Sequence, residues 1–582
     1  MSFMSDILFV APVNKQVITE ECIGTLILAS LLRSKGVDVD IYRFFEADKS
    51  KGFFAFVDET ADNILAKNPK VVSFYCRCDC FLTNIRIAER LKELRPSLPI
   101  VFGGPQADAC CRETLEEIEA VDYCCSGEGE TTVYSLFSAL LEGGDVTEIQ
   151  GLTYRDEKGN VVVNPRPALI KNLDKVADID YSFVPVESMR QVTDGVASLA
   201  IDVGRGCPFN CAYCSTSLFW NRKFRTKSPD RIVEEMKNLN QKYGVKKFVF
   251  EHDLFTANKK NVLEFCDRLK ESGIDAGWSC SSRVDTIDEE MIDAMVKVGF
   301  GAVYFGIETG SPRMQKIIHK NLKNSDVLRI CRYLKEKNVE VIASFMYGFP
   351  EETEEDLNDT MKLVRELVRM GVTTFQFHLC AIFPSTEYFD KYRKELVFAS
   401  HHSDQVSDFG LYENYDFICE HKSLFPFYYE YHNDHRKRFA GFEKVALSVI
   451  RLYDICQKFD KDRFENMSLA KMSYDFLSAN EELVKTLRGD KDCKEHFREM
   501  SKSYLATVYD GDNLTVMSQI IDFICDRGDV AAKSSGAMDV KCYSIDINDC
   551  LKGESLSDIK LKTTMVYYKV NDGKVGSVIK YI

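Results

Sequence analysis

The sequence predicts an α/β protein in three parts: a doubly wound, flavodoxin-like (Rossmann-like) sheet, a partial (β/α)6 barrel, and a mixed α+β C-terminal region. Three observations predict it. Over residues 1–143 short apolar runs alternate with amphipathic segments, the pattern of a parallel sheet covered on both faces. The alternation resumes over 198–395 with six strand-helix units, and beyond 396 it gives way to helical periodicity and then to short strands. With 582 residues the chain exceeds what one hydrophobic core holds, so separate domains are expected.

In the first part, strands are expected at Asp6 to Val10, Val37 to Tyr42, Val71 to Tyr75, Ile100 to Gly103 and Val121 to Cys125. Ligands of such sheets sit beyond the carboxyl ends of the strands. Small or turn-forming residues cluster at those ends: Ser73 with Phe74, Gly103-Gly104-Pro105, and Ser126-Gly127-Glu128-Gly129-Glu130. Taken alone, these glycines could equally serve only to make tight strand-to-helix turns. Eight cysteines fall in this part; Cys76, Cys78, Cys80, Cys110, Cys111, Cys124 and Cys125 lie near strand ends, where an iron–sulfur cluster is conceivable, but neighbours along a strand point to opposite faces, so they read as small buried hydrophobes.

Residues 144–197 read as a connector. A hairpin is expected from Leu152 to Arg155 and Val161 to Val163, turning at Asp156-Glu157-Lys158-Gly159-Asn160. A proline-containing strap with Pro165, Pro167 and Pro185 follows.

The barrel strands are expected near Leu199 to Val203, Lys247 to Glu251, Ala276 to Cys280, Ala302 to Ile307, Val339 to Tyr347 and Thr373 to Leu379. Helix starts such as Ser228-Pro229-Asp230 punctuate them. Barrel sites lie at the carboxyl ends of the strands. At those ends stand Gly206-Cys-Pro-Phe-Asn-Cys-Ala-Tyr-Cys214, then Glu251-His252-Asp253, Ser281-Ser282-Arg283-Val284-Asp285, Gly306-Ile307-Glu308-Thr309 and Tyr347-Gly348-Phe349. The basic run Trp220 to Arg225 reads either as a shield for an anionic group or as a solvated turn.

Cys207, Cys211 and Cys214 form a CxxxCxxC loop. Three thiolates can hold three irons of a [4Fe–4S] cluster and leave the fourth open to a ligand that is not protein. A structural zinc site closes its tetrahedron with four ligands, and neither a His nor a fourth Cys follows until His252. With Tyr213 before the last cysteine, the loop closely resembles the signature of the radical S-adenosylmethionine (SAM) enzymes. The Gly-Gly-Pro and Gly-Glu-Gly-Glu segments resemble the cobalamin-binding domain that precedes the barrel in many of them. The resemblance implies a [4Fe–4S] cluster on Cys207, Cys211 and Cys214, and SAM contacts from Tyr213, Glu251, Ser281, Arg283, Glu308 and Gly348. It also implies cobalamin contacts from Ser73, Gly103, Gly104, Gly127, Glu128 and Gly129. Arg283 and Glu308 could instead pair with each other as a structural ion pair. The first of the nine histidines is His252, so the Asp-x-His-x-x-Gly motif that supplies a lower cobalt ligand in methionine-synthase-like domains is absent from the first part.

The implied reaction is methylation of an unactivated carbon of a peptide or specialised metabolite, by way of a 5′-deoxyadenosyl radical and methylcobalamin, with flavodoxin or ferredoxin as electron donor. Two alternatives stand beside it: a radical SAM rearrangement, cyclisation or epimerisation, with or without cobalamin, and an iron–sulfur electron carrier or sensor that binds no SAM. Residues 396–582 are expected to set the substrate. A formal charge of −15 argues against broad nucleic-acid or anionic-membrane binding. No apolar run reaches the length of a membrane span, Ile7 to Val10 is too short for a signal-peptide core, and 21 cysteines in such a chain suit a reducing, cytoplasmic setting.

Overall fold

The computed structural model describes residues 5–12, 22–44, 52–184, 198–399, 401–403, 405–487, 494–532, 538–571 and 574–581; Pro185 of the strap falls outside them. The chain divides into two compact units. One comprises Met1–Glu308, Gln315–Met346 and Arg369–His432; the other comprises Thr309–Met314, Tyr347–Val368 and Asn433–Ile582.

The first unit begins with a sheet of β1 (Ile7–Pro12), β2 (Val39–Phe44), β3 (Val71–Tyr75), β4 (Ile100–Gly103), β5 (Tyr123–Cys125), β6 (Leu152–Arg155) and β7 (Val161–Val163). The strand order is β2-β1-β3-β4-β5-β6-β7. The first five strands pair in parallel, and β6 and β7 add antiparallel. The expected hairpin therefore extends the first sheet from five strands to seven. Ile7, Leu8, Val10, Val72, Ile100 and Phe102 are fully buried, each worth about 1.5–3 kcal/mol relative to exposure. Strands covered on both faces cannot alternate polar and apolar residues, which is why the runs are nearly continuous. The cysteines Cys76, Cys80, Cys110, Cys111, Cys124 and Cys125 are buried in the same core. Order reverses between β1 and β3, so the chain leaves their carboxyl ends in opposite directions and opens a crevice there.

The strap lies on the helix Ile23–Ser34. Leu173 and Val176 pack on Ile27, Arg33 pairs with Asp180 at 2.7 Å, and Ser30 Oγ accepts from the Asp180 amide at 2.8 Å.

The barrel follows with β8 (Ser198–Asp202), a two-stranded ribbon of β9 (Gly204–Arg205) and β10 (Arg225–Thr226), then β11 (Lys247–Glu251), β12 (Gly277–Ser282), β13 (Phe300–Glu308), β14 (Glu340–Tyr347) and β15 (Thr374–Leu379). The barrel sheet has the order β15-β14-β13-β12-β11-β8, six strands with sequential neighbours. In β11 the period of two is plain: Phe248 and Phe250 are buried, while Lys247, Val249 and Glu251 are exposed. Phe250 stacks on Trp278 with ring centroids 4.8 Å apart and meets Phe265 edge-on, which seals that face against the helix Lys259–Ser272.

The short ribbon β16 (Leu396–Phe398) with β17 (Tyr429–Tyr431) closes the first unit. In the second unit the helices Phe442–Phe459, Leu469–Ala479, Phe497–Val508 and Gly511–Ala531 precede an antiparallel sheet of β18 (Met538–Tyr543), β19 (Thr564–Asn571) and β20 (Lys574–Tyr581).

Candidate functional site

The cysteine loop leaves β8 through the β9/β10 ribbon, whose antiparallel pairing brackets residues 206–224 as a stalk. Gly206 makes the turn: its φ is +86°, and a Cβ there would lie 2.2 Å from the Lys223 carbonyl oxygen. Its amide donates to Asp253 Oδ2 at 2.8 Å, tying the loop to the end of β11. The Ala212 amide donates to the Ile318 carbonyl at 3.1 Å, and the Ala212 carbonyl accepts from the Tyr388 amide at 3.2 Å. With its backbone fixed, the loop leaves Cys207, Cys211 and Cys214 partly exposed, whereas most cysteines of the chain are buried. Burial pushes the Cys207 thiol up to about 11, and the neighbouring thiols of Cys214 and Cys211 add to the rise. Among the described residues no group of three His, Cys, Asp or Glu converges on a single-ion site. A cubane spreads its three thiolates over three separate irons, so this donor set fits a [4Fe–4S] cluster better than one tetrahedral ion.

Around the loop stand side chains that the sequence pattern left unconnected. Tyr213 donates to Glu308 Oε1 at 3.0 Å, and Lys320 Nζ lies 2.7 Å from the same oxygen. Burial first, then the Glu308 carboxylate, pushes the Tyr213 phenol well up. Glu308 sits where the β13/β14 register slips, with φ +68°. A non-glycine residue pays for that conformation, and here buried Lys320 and half-buried Tyr213 hold it. Arg283 does not pair with Glu308. Its fork grips Asp285 at 2.9 and 2.8 Å, donates to the Lys320 carbonyl at 2.7 Å, and reaches Cys211 Sγ at 3.7 Å. Its guanidinium lies 3.7 Å over the Phe209 ring. Lys320 is the residue missed here; no local pattern marks it, because its partners lie 12 and 107 positions away.

A cavity of about 420 Å³ joins the first sheet to the barrel mouth. Ser73, Gly103, Gly104, Gly127, Glu128 and Gly129 line it from one side; Asp202, Glu251, His252 and Ser281 line it from the other. All six expected cobalamin contacts and two of the expected SAM contacts thus share one space. Gly104 has φ +100° and would place a Cβ 2.9 Å from the Cys76 carbonyl oxygen, so only glycine allows this close turn. The wall is largely apolar, with Phe9, Ile27, Val101 and Phe137 deep in the domain, as suits a large cofactor with few polar anchors. His252 lies on the same wall: it is buried and stacked on Phe224 at 4.9 Å, and neither ring nitrogen has a hydrogen-bond partner among the described residues.

Glu128 is also held by partners inside the protein. Its carboxylate accepts from Arg205 at 2.7 Å, from Arg225 at 2.9 and 2.8 Å, and from the Ile170 amide at 2.6 Å. That leaves little capacity for a direct ligand. Within the basic run, Asn221, Arg222 and Lys223 are exposed, as a solvated turn would have them, while the Arg225 side chain is turned inward onto Glu128. Gly348 lies in the second unit, with its amide donating to Glu352 at 2.6 Å and its carbonyl accepting from Arg436 at 2.8 Å.

Comparison with known proteins agrees with this arrangement. Residues 19–137 match the B12 binding domain and residues 201–364 the radical SAM superfamily. An uncharacterized methyltransferase, PH0819 of Pyrococcus horikoshii, is 32% identical over 368 residues, 63% of this chain and 77% of that protein. The anaerobic magnesium-protoporphyrin IX monomethyl ester cyclase of Rubrivivax gelatinosus is 27% identical over 318 residues, 53% of this chain and 56% of the cyclase. The fold resembles that of OxsB, a cobalamin-dependent SAM radical enzyme solved with aqua-cobalamin and SAM bound (TM-score 0.59, 13% identity, 91% of this chain and 82% of that one). It also resembles the radical SAM methyltransferase TsrM from Kitasatospora setae, solved with cobalamin and a [4Fe–4S] cluster (TM-score 0.54, 18% identity, 67% and 75%). The two domains bring a [4Fe–4S] cluster, SAM and cobalamin as cofactors, and the chain belongs to the radical SAM enzymes that carry a B12-binding domain ahead of the radical SAM domain.

Proposed function

We propose that the enzyme methylates an unactivated carbon of a peptide or specialised metabolite. The observation that carries this reading is the shared cavity, in which the glycine-rich ends of the first sheet face the ends of β8, β11 and β12. Chemistry between a carbon radical and a methyl donor needs the two within contact distance, and a single shared cleft provides that. In this reading Cys207, Cys211 and Cys214 hold the cluster. Glu251 and Ser281 reach SAM from the cavity wall, and Arg283, Glu308 and Tyr213 shape its site beside the cysteine loop. Ser73, Gly103, Gly104, Gly127 and Gly129 make room for the corrin. When bound, the cluster and SAM supply hydrogen-abstracting power and cobalamin supplies a transferable methyl group. The chain's own contribution is to orient these groups and exclude water from the space between them.

The electron donor in this reading is a flavodoxin or ferredoxin, and the setting is a reducing cytoplasm, supported by the free thiols of every described cysteine. No helix among the described residues is long and apolar enough to cross a membrane. The similarity to magnesium-protoporphyrin cyclases favours a second reading, cyclisation or another non-methylating reaction on the same scaffold. Product analysis separates the two. Methyl transfer requires one S-adenosylhomocysteine and one 5′-deoxyadenosine per turnover, with the label of methyl-deuterated SAM in the product. Deoxyadenosine without S-adenosylhomocysteine, on a substrate that gains no methyl mass, would exclude methylation and leave the cyclase-like reading.

A further inference from the structure

The cavity-lining Gly-Glu-Gly-Glu segment and the cysteine loop are joined by a buried cluster of charges. Arg205 stands two residues before Cys207, and its guanidinium meets Glu128 at 2.7 Å, Glu130 at 2.6 Å and Asp202 at 3.4 Å. Arg225, on the other strand of the ribbon, closes on both oxygens of Glu128 and on the Ile170 carbonyl. Lys227 extends the cluster from Asp202 at 3.7 Å to Glu235 at 3.2 Å, and Glu235 accepts from Tyr181 of the strap at 2.8 Å. The Glu128 side chain is 1% exposed, and every other charged member is nine-tenths or more buried.

Burying this many charges is a poor way to glue two surfaces, because desolvation offsets most of the attraction and packed apolar side chains would hold them at least as well. What an ion cluster provides and an apolar contact does not is a fixed register: the guanidinium of Arg205 donates to its carboxylates in few geometries. We propose that Glu128 is a positioning residue. Through Arg205 and Arg225 it locks the 126–130 turn, which lines the cobalamin side of the cavity, to the ribbon that carries the cluster loop. The separation of the two cofactors is thereby set. The inference rests on the cofactor sites proposed above and adds that their mutual distance is held by this carboxylate.

The test uses the holoenzyme reconstituted with iron–sulfur cluster and cobalamin. The readout is how strongly the one-electron-reduced cluster enhances relaxation of the cob(II)alamin spin, which depends steeply on their distance. In Glu128→Gln, and in Arg225→Lys, iron and cobalamin contents should match the wild type while the relaxation enhancement falls and its distribution broadens. Glu130→Gln should show a smaller change, since Glu130 meets Arg205 alone. Wild-type relaxation in a Glu128→Gln protein with full cofactor content would overturn the proposal. So would loss of cobalamin in Glu128→Gln with retention in Arg225→Lys, which would make Glu128 a direct cofactor ligand. If Glu128→Gln does not fold, Arg225→Lys decides: unchanged relaxation refutes the lock and reduced relaxation supports it. A wild-type protein that binds no cobalamin would instead refute the cofactor reading on which the inference stands.

Discussion

Arg283 Nη1 lies 3.7 Å from Cys211 Sγ, and the guanidinium is held there by Asp285, the Lys320 carbonyl and the face of Phe209. An N–H donor and a positive charge beside a ligand sulfur stabilise the more negative, reduced form of an iron–sulfur cluster. On the proposed cluster assignment, Arg283→Gln should lower the cluster's midpoint potential, and Arg283→Lys should lower it less because the charge remains while the rigid fork is lost. Iron content should not change in either. A redox titration followed by electron paramagnetic resonance measures this, and equal potentials at full iron content would show that the contact does not act on the cluster.

The three loop cysteines should act together. Anaerobically reconstituted protein should hold about four irons at this site, by the logic of three thiolates on a cubane, and the triple change Cys207→Ala, Cys211→Ala, Cys214→Ala should remove them. Full iron content in the triple variant would place the metal elsewhere. The other described cysteines are mostly buried in apolar surroundings that keep their thiols protonated, as at Cys76, where burial raises the pKa far above its ordinary value.

What the sequence disclosed was what neighbours in the chain encode. The strands β3, β4, β6, β7 and β11 form within the expected limits because apolar run and turn residues lie side by side. The cysteine loop was legible for the same reason. The partners of Glu128 were not, because Arg205 lies 77 positions away and Arg225 97, and a glutamate between two glycines reads as a ligand or a turn with equal ease. Arg283 and Glu308 were both expected at the barrel mouth, but which cation and which carboxylate pair there depends on Lys320 and Asp285, whose roles only the fold reveals. The hairpin was visible as a hairpin, yet its docking on the edge of β5 depends on a long-range register that no local pattern records.

Bound cobalamin should lack an imidazole ligand. Residues 1–251 contain no histidine, and His252, though it lines the cavity, has both ring nitrogens shielded, with the ring against Phe224 and within reach of Gly204. The cob(II)alamin spectrum of the loaded protein should therefore show no nitrogen hyperfine splitting from an axial ligand. A nitrogen triplet that persists in His252→Asn would assign the ligand to cobalamin's own base, and one that vanishes would assign it to His252; either contradicts the expectation.

His252 should also make the protein acid-sensitive. Burial lowers its imidazole to about 4; the Asp202 carboxylate and the Gly206 carbonyl pull the other way, and Arg225 adds to the fall. In the unfolded chain the same group titrates near its ordinary value of about 6.5. Between those two values the unfolded state binds a proton that the folded state refuses, so stability is complete above about pH 6.5 and is lost as the pH falls toward 4. The part carried by His252 should reach about 2 kcal/mol between pH 7 and pH 5, at about 1.4 kcal/mol per unit. Urea unfolding of wild type and His252→Asn at both pH values measures it. The wild type should lose more stability than the variant on acidification by about that amount. Equal losses would mean that the folded protein admits the proton and that the imidazole is not held neutral beside the cavity.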